Sequence, residues 1–491
     1  MFKFRMDMYE HLEKKKGEIL DKAKKAADEI GIPAEKRPDL GLSGGSATHA
    51  MLLQDSIDGM SASARKMTRL PSMDIEVRKI VKEHYGDDYD GAVLNTCEAA
   101  LWVAYSVLFT PALARGSQSI FRYVAPYERH VHHQAGYGAP VPPKYKDLSA
   151  DRGTTAGELG IQAKRQVNLE TLMVPLAGAD YACHGIKYHP CTLMEGVRAA
   201  ESVKGLEDAA EAHRPFVSGF ASMGYETPGY GYSEKGADGG PVVMRGIGEI
   251  ASRFGVPYVV DNARGTPFLG TDPRAIKADL MVYSTDKAFP GPTGGLVIGK
   301  EEVMVPIRRA VGIHGSRWGT GSSHGKAGYV WADPGKECLS GLIPVLRILL
   351  ETPERLTKPV DEFHQIVLEE FAAVKGDLGR FADGFVITKS YNFLGTEISY
   401  ERTWSGGRMG LPIFSIEDMY SGTNLIQSGL QAMGLIPPLG YDANMIVGPG
   451  LGTTDPRGNL LERESRWVVR ALFGMLVILA EAVRPYIPGD R

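Results

Sequence analysis

A lysine and an aspartate stand in this sequence where a chemical site could form. Asp261 follows the apolar run 256–260, and Lys287 follows the next apolar run, 279–284, twenty-six positions later (287 − 261). A lysine amine can close a Schiff base on an aldehyde, and a carboxylate can hold a pyridine nitrogen in its protonated form. These two groups after successive strands are what a pyridoxal phosphate site requires, so we expect chemistry on amino acids or amines.

A short polar turn ahead of a helix gives a candidate phosphate site. Residues 92–95 are predicted as a strand and Thr96, Cys97 and Glu98 as a turn, after which a helical pattern begins. The backbone N–H groups and the positive dipole end at a helix start attract a phosphate. Thr96 can add a hydroxyl, and Ser284 can add another from the opposite side. The alternative interpretation of this turn is a simple helix N-cap.

The rhythm of apolar and polar runs predicts the fold. Strands are expected at 92–95, near 120–125 and 216–221, and at 256–260, 279–284 and 296–299. Helical patterns lie between several of them, which favours a mostly parallel sheet covered on both faces. The expected class is α/β, with a sheet of the seven-stranded type in a large domain, a smaller C-terminal α+β domain and an N-terminal arm.

Changes in composition along the chain suggest domain boundaries. Residues 1–60 are predicted as the N-terminal segment, with an arm helix over 8–30 that packs on a partner or on the small domain. Residues 61–350 are expected to form the large cofactor-binding domain. Within it, 135–200 is rich in glycine and proline and is interpreted as an insertion over the sheet. Residues 351–491 are expected to form the small C-terminal domain.

Bulk composition limits the partners. With 491 residues the chain is too long for one compact core. The net charge of −4, from 55 basic and 59 acidic side chains, gives no electrostatic reason to expect nucleic acid or an anionic membrane. No apolar run reaches the roughly 18 residues that a membrane span needs. The four cysteines are scattered, and we expect a cytoplasmic location.

Two further motifs are weaker. Cys183-His184 and His189-Pro190-Cys191 have the residue types of a metal site. Their spacing matches no familiar zinc pattern, so no metal is predicted. The glycine-rich run at 448–452 lacks the strand and acidic residue that a nucleotide site needs, which favours a loop or a substrate-gripping edge.

In the layout of these motifs, residues 40–345 resemble the fold-type-I pyridoxal phosphate enzymes, the aspartate-aminotransferase-like superfamily. The run at 96–100 resembles the phosphate-binding turn of that superfamily. Asp261 resembles its pyridine-nitrogen aspartate, and the run at 284–287 its Ser-x-x-Lys segment. The resemblance implies a homodimer or a dimer of dimers with active sites near the subunit interface. It also makes His130, in a histidine-rich run, the candidate for stacking on the cofactor ring.

The residues after the aspartate point to a reaction type. The run Asp-Asn-Ala-Arg at 261–264 resembles the Asp-Gly-Ala-Arg run of threonine aldolases and the Asp-x-Thr-Arg run of tryptophanase-like lyases. The resemblance implies that Arg264 reaches the cofactor's ring oxygen or the substrate carboxylate. The structural alternative is a salt bridge from Arg264 to Asp272 or Asp279.

We therefore expect a lyase that cleaves Cα–Cβ or expels a β-substituent from a small amino acid or amine. An aminotransferase remains open, although class V aminotransferases place histidine where this chain has Asp286. The Ser-x-Asp-Lys run is also similar to that of O-phosphoseryl-tRNA selenium transferases, which leaves a selenium- or sulfur-transferase-like protein acting on aminoacyl-tRNA open. Candidate substrate-binding residues are Ser43, in a small-residue loop, and the C-terminal arginines Arg408 and Arg457.

Overall fold

The structure is a computed structural model of the 491-residue chain. It describes residues 2–43, 50–110, 121–127, 169–179, 193–311, 332–400, 411–418, 424–438, 440 and 444–486. Helices and strands are numbered below in chain order within these residues.

Seven strands of the described residues form one central sheet. They are β1 (Tyr89–Leu94), β2 (Phe121–Tyr127), β3 (Leu169–Pro175), β4 (Val217–Met223), β5 (Tyr258–Asp261), β6 (Leu280–Ser284) and β7 (Gly295–Lys300). Their order across the sheet is β1-β7-β6-β5-β4-β2-β3. Strands β3, β2, β4, β5 and β6 pair in parallel, and β7 runs antiparallel to both β6 and β1. The mostly parallel sheet predicted from the sequence is confirmed.

Helices cover both faces of this sheet. They are α2 (Gln54–Ala64), α3 (Leu70–Tyr85), α4 (Cys97–Leu108), α5 (Ala199–Ala212), α6 (Val242–Phe254), α7 (Glu301–Val311) and α8 (Lys336–Glu351). Along β6, Met281 and Tyr283 belong to one buried cluster, whereas Leu280 and Val282 belong to another. Successive strand residues point to opposite faces. Because both faces of the sheet are buried at β6, this strand is apolar throughout and does not alternate between apolar and polar residues.

One expectation about the large domain was wrong. Part of the segment 135–200, interpreted as an insertion over the sheet, is strand β3, which forms the sheet edge beside β2. Glu170 and Thr171 interrupt its apolar pattern, and most of its residues are only half-buried. An edge strand is covered less completely than a central one, so its sequence carries a weaker apolar signal. The residues 135–168 and 180–192 of this segment lie outside the described ranges.

A second group of elements packs around its own core. It contains α9 (Glu354–Leu378), β8 (Val386–Ser390), β9 (Gly395–Ser399), α10 (Leu425–Ala432), β10 (Asn444–Val447) and α11 (Glu462–Val483). The three strands form an antiparallel sheet in the order β10-β9-β8. The N-terminal helix α1 (Phe2–Glu29) joins this core, where Met8 and Leu12 cluster with Leu472 and Leu476. The numerical domain boundaries given above stay a proposal.

A buried network of ion pairs stabilises β1, the strand at one edge of the large sheet. Arg308 on α7 pairs with Asp74 at 2.7 Å and with Asp90 at 3.0 Å, and Arg78 pairs with Asp90 at 2.9 Å. Arg308, Asp74 and Asp90 are at most 4% exposed. The network therefore ties α3 and α7 to β1, the strand that leads into the candidate phosphate turn. Within the described residues, no helix has the length and apolar character of a membrane span.

Candidate active site

Lys287 lies on the turn between β6 and β7. Backbone hydrogen bonds brace this turn, because Thr285 N donates to Gly294 O at 3.0 Å and Gly291 N donates to Thr285 O at 3.0 Å. The Thr285 hydroxyl also donates to the Pro292 carbonyl. Lys287 is only 9% exposed. Its amine is thus held on a fixed segment at the edge of the sheet, and is not a solvated loop lysine.

Asp286 is oriented by two hydroxyl groups. Ser284 Oγ donates to Asp286 Oδ1 at 2.7 Å, and Thr293 Oγ1 donates to Asp286 Oδ2 at 2.8 Å. From the sequence, the Ser284 hydroxyl was expected to donate a hydrogen bond to the cofactor phosphate. In the structure its proton is directed to Asp286, so a phosphate contact requires the hydroxyl to turn. The cofactor-binding role of Ser284 stays a prediction.

Asp261 ends β5, the parallel neighbour of β6. Its register partner on β6 is Val282, and the next residue, Asn262, donates its N–H to Val282 O at 2.9 Å. The carboxylate is 1% exposed and accepts a hydrogen bond from Ala263 N at 3.0 Å. The carboxyl ends of parallel strands meet at one sheet edge, where open α/β folds bind ligands. Asp261, at the end of β5, and Lys287, after β6, accordingly lie at the carboxyl ends of two adjacent parallel strands.

The candidate phosphate turn caps helix α4. Thr96 is its N-cap residue, and Thr96 Oγ1 accepts a hydrogen bond from Ala99 N at 3.0 Å. The cap interpretation of this turn therefore holds, and it leaves the hydroxyl proton of Thr96 available to an anion. Glu98 is exposed in the first helical turn, where its negative charge suits the helix dipole but would repel a phosphate. A phosphate contact from Glu98 must come from its backbone N–H.

Cys97 is the buried first residue of α4, within the candidate phosphate turn. Burial raises the pKa of the Cys97 thiol well above its usual range, the charge of Lys287 opposes this rise, and the charge of Asp261 adds to it. Both charged groups thus lie within electrostatic range of the first residue of α4. Gly295 at the start of β7 lies so close that a Cβ there would overlap the Thr96 carbonyl. The structure brings these sequence-predicted residues together.

Arg264 lies beside this group, half-buried. Its guanidinium carbon is 5.7 Å from the centre of the Phe393 ring, and its backbone N–H donates to Tyr225 Oη at 3.1 Å. The salt bridges considered as alternatives do not form, because Asp272 pairs with Arg274 at 2.6 Å and Asp279 pairs with Lys300 at 2.6 Å. Among the described residues, no carboxylate forms an ion pair with the Arg264 guanidinium.

Sequence reasoning missed Asn392, on the β8–β9 turn. Its amide nitrogen donates to Asn262 Oδ1 at 3.1 Å, to Gly224 O at 3.0 Å and to Glu226 Oε2 at 3.0 Å. Asn262 Nδ2 donates back to Asn392 Oδ1 at 3.0 Å. This contact joins the C-terminal unit to the residue that follows Asp261. No local sequence pattern predicts the contact between Asn262 and Asn392, because the two asparagines are 130 positions apart.

Two of the remaining candidates, Ser43 and Arg457, are among the described residues, and the others are not. Ser43 is 7% exposed and pairs through its backbone with Gly448, with N···O distances of 3.1 and 2.7 Å. Arg457 is exposed on the 455–459 turn. Arg408 and His130 lie outside the described residues, as do the four members of the weak metal motif at 183–191. Among the described residues, no group of three or more His, Cys, Asp or Glu is placed to hold a metal.

Known proteins resemble this chain in structure. No protein-family model matches it, and no curated protein matches it. A chain from the crystal structure of the SepCysS–SepCysE N-terminal domain complex is 11% identical, with 89% of this chain and 95% of that chain covered at a TM-score of 0.51. Ureidoglycine–glyoxylate aminotransferase from Bacillus subtilis is 13% identical, with coverage of 92% and 95% and a TM-score of 0.47. Pyridoxamine–pyruvate aminotransferase from Mesorhizobium loti is 15% identical, with coverage of 92% and 94% and a TM-score of 0.45.

At 11% identity, the likeness to the SepCysS–SepCysE complex chain is a likeness of fold. It extends over nearly the whole of both chains. Together with the observed strand order, it confirms the α/β architecture that the sequence predicts.

Proposed function

We propose that this protein is a pyridoxal-phosphate-dependent enzyme that acts on an amino acid or amine, with Lys287 as the residue that holds the cofactor. One observation carries the proposal: Lys287 is buried on a braced turn after β6, and the buried Asp261 ends the adjacent parallel strand. A lone buried lysine or aspartate has many structural explanations. The two together, at the ligand-binding edge of the sheet, match the two ends of one cofactor.

The other residues present fit the same group. The start of α4 offers the positive end of its helix dipole and the hydroxyl of Thr96 to a phosphate. The close approach of Gly295 to Thr96 places the lysine-bearing hairpin directly beside that helix start. The site therefore supplies an anion-binding end, an amine and a carboxylate in one region of the fold.

When bound, pyridoxal phosphate supplies an electron sink for breaking a bond at the Cα of an amine. Asp261, buried and fixed by Ala263 N, holds a proton on a ring nitrogen. The Lys287 amine moves a proton at the substrate Cα, a general acid–base role suited to a buried amine. Arg264, without an ion-pair partner among the described residues, binds the substrate carboxylate or an oxygen of the ring. Asp261 and Lys287 are 1% and 9% exposed, so burial keeps water away from both groups.

For the reaction type we propose a lyase, on the position of Arg264 three residues after Asp261 and on its lack of an ion pair within the described residues. An aminotransferase uses the same residues and differs in its products. Incubation with an amino acid distinguishes them: release of ammonia, an aldehyde or a β-fragment supports the lyase, whereas stoichiometric pyridoxamine phosphate supports the aminotransferase. We also propose that the substrate is a small molecule and that the protein forms a homodimer. Light scattering of the purified protein tests the homodimer.

The decisive experiment locates the cofactor on the chain. The protein is reconstituted with pyridoxal phosphate, reduced with borohydride, digested and analysed by mass spectrometry. We expect the mass increment on Lys287 and its loss in Lys287→Ala. Lys235→Ala is the matched control, because Lys235 is an exposed lysine whose pKa is lowered by partial desolvation, which makes its amine a competitor for non-specific labelling. An increment on Lys235 and not on Lys287, or none at all, refutes the proposed function.

A further inference from the structure

A cavity of about 190 Å³ lies next to the Lys287 turn. Its wall includes Ala288 and Pro290, which follow the lysine, and Leu394 from the β8–β9 turn. Consecutive Cα atoms are about 3.8 Å apart, so the wall begins one residue from Lys287. None of the roles proposed above uses this cavity.

The other walls come from segments that are fixed to one another. Residues 50–57 and 449–458 face each other, and Met51 N donates to Gly450 O at 3.4 Å while Gln54 N donates to Pro456 O at 2.8 Å. The start of α9 closes a further side with Leu356 and Val360. Because three chain segments and two backbone hydrogen bonds define this space, it is a feature of the fold and not a gap between mobile loops.

The charged side chains in the wall, Arg355 and Asp455, already have hydrogen-bond partners. Arg355 donates to both carboxylate oxygens of Asp55, at 3.1 and 2.8 Å. Asp455 accepts from Asn459 Nδ2 at 2.8 Å and from the backbone N–H groups of Asn459 and Arg457 at 2.9 and 2.8 Å. An occupant with a net charge would therefore meet Arg355 neutralised by Asp55 and an Asp455 carboxylate whose oxygens already accept three hydrogen bonds. The apolar side chains of the wall then decide what binds.

The volume sets the size of the occupant. An engineered apolar cavity of about 150 Å³ in another protein stays dry and takes up benzene. A space of about 190 Å³ therefore admits an aromatic ring or a branched aliphatic group. Rim side chains also leave apolar surface in contact with water, since Met51 is 61% exposed and Ile57 is 41% exposed. Covering that surface favours binding of an apolar group.

We propose that this cavity binds the apolar side chain of the substrate, an aromatic or branched aliphatic group attached to the amine that reacts at Lys287. The inference rests on the proposed function, because it assigns one part of the amino-acid or amine substrate to the space beside the lysine. It excludes substrates with a small or charged side chain as the preferred class.

Filling the cavity from its rim tests this assignment. Ile57→Trp places a bulky indole ring in the opening of the cavity. Ile75→Trp is the matched control, since Ile75 is 47% exposed on α3 and does not line the cavity. The first readout is calorimetric titration of the purified protein with indole. We expect the affinity of wild type and Ile75→Trp for indole to agree, and that of Ile57→Trp to fall on the order of tenfold or more.

The second readout uses the reconstituted protein. Phenylalanine and alanine are titrated while the absorbance of the bound cofactor is followed, and the ratio of their half-saturating concentrations is compared among variants. We expect wild type and Ile75→Trp to prefer phenylalanine, and Ile57→Trp to lose that preference by about tenfold. If Ile57→Trp does not fold, Met51→Trp repeats the test with the exposed Met67→Trp as its control.

The outcomes separate this inference from the one it rests on. A borohydride adduct on Lys287 with no indole site, or with indole binding equal in both tryptophan variants, overturns the cavity assignment alone. A preference for alanine in the wild-type protein overturns it as well. The absence of an adduct on Lys287 overturns the proposed function, whether or not indole binds.

Discussion

Asn262 and Asn392 exchange two side-chain hydrogen bonds, at 3.0 and 3.1 Å, although 130 positions separate them in the chain. Both are buried, with exposures of 0% and 1%. Asn262 follows the candidate catalytic Asp261, and Asn392 lies on a turn of the C-terminal unit. The pair therefore fixes the position of that unit relative to the carboxylate.

Removal of this contact should destabilise the protein. Asn392→Ala removes the acceptor Asn392 Oδ1 from the buried amide nitrogen of Asn262, the donor to Asn262 Oδ1, and one of the two donors to Glu226 Oε2. Each buried polar group left unsatisfied costs about 1–3 kcal/mol, so we expect a loss of about 2 kcal/mol or more in the free energy of unfolding, measured by urea denaturation. Asn459→Ala is the control, since that exposed amide bonds Asp455 at 2.8 Å. Equal urea midpoints for the two variants would contradict this assignment.

Asp261→Ala should separate cofactor binding from reactivity. Lys287 and the start of α4 remain, so we expect the borohydride-trapped adduct to form as in wild type. Turnover should fall on the order of a hundredfold or more, since a fixed charge in a buried site supplies that much stabilisation. Asp238→Ala, an exposed carboxylate paired with Arg245, should leave turnover unchanged. Near-normal turnover of Asp261→Ala in a steady-state assay refutes the role assigned to it.

The positions of Lys287 and Asp261 were predictable because both follow apolar runs that are adjacent in the chain. Central parallel strands are buried on both faces, so their sequence pattern is strong and their ends are clear. Thr96 was predictable for a similar reason, since an N-cap signal lies within a few residues of the helix it opens. In each case the information is local to the sequence.

What could not be predicted depends on contacts between distant segments. The partner of Asn392 lies across the domain contact, and Ser284 bonds Asp286 where a phosphate contact was expected. Strand β3 was missed because an edge strand with half-buried residues shows little alternation. The salt-bridge alternatives for Arg264 could be set aside only once Arg274 and Lys300 were seen to hold the two aspartates.

The buried network around Arg308 gives a prediction about stability alone. Arg308→Ala leaves the carboxylates of Asp74 and Asp90 buried without this cation. Breaking a buried pair by removing one partner costs about 3–5 kcal/mol, and we expect a loss of that size in urea denaturation. Arg198→Ala is the control, because its pair with Glu201 is 58% and 60% exposed, and exposed pairs contribute about 0–1 kcal/mol. A similar loss in both variants would show that the network does not behave as a buried one.

Cys338 should make stability depend on pH in the alkaline range. Burial raises the pKa of this thiol from 9.0 to about 12. Because the folded-state pKa is raised, the contribution of the protonated thiol is fully present below pH 9 and is lost as the pH rises from about 9 to about 12. We expect Cys338→Ala to show a smaller fall in its urea midpoint between pH 8 and pH 10.5 than wild type does. Parallel curves for the two proteins would contradict a buried protonated thiol.

Arg264 should discriminate amino acids from amines. If its guanidinium binds the substrate carboxylate, Arg264→Gln loses a charge-assisted contact with amino acids but none with the corresponding decarboxylated amines. We expect the half-saturating concentration of phenylalanine to rise about tenfold or more, and that of phenylethylamine to stay unchanged, in absorbance titrations of the bound cofactor. Arg274→Gln is the control, since that guanidinium is held by Asp272 at 2.6 Å. An equal effect of Arg264→Gln on both ligands would assign Arg264 to the cofactor ring instead, because a contact with the ring does not depend on the substrate carboxylate.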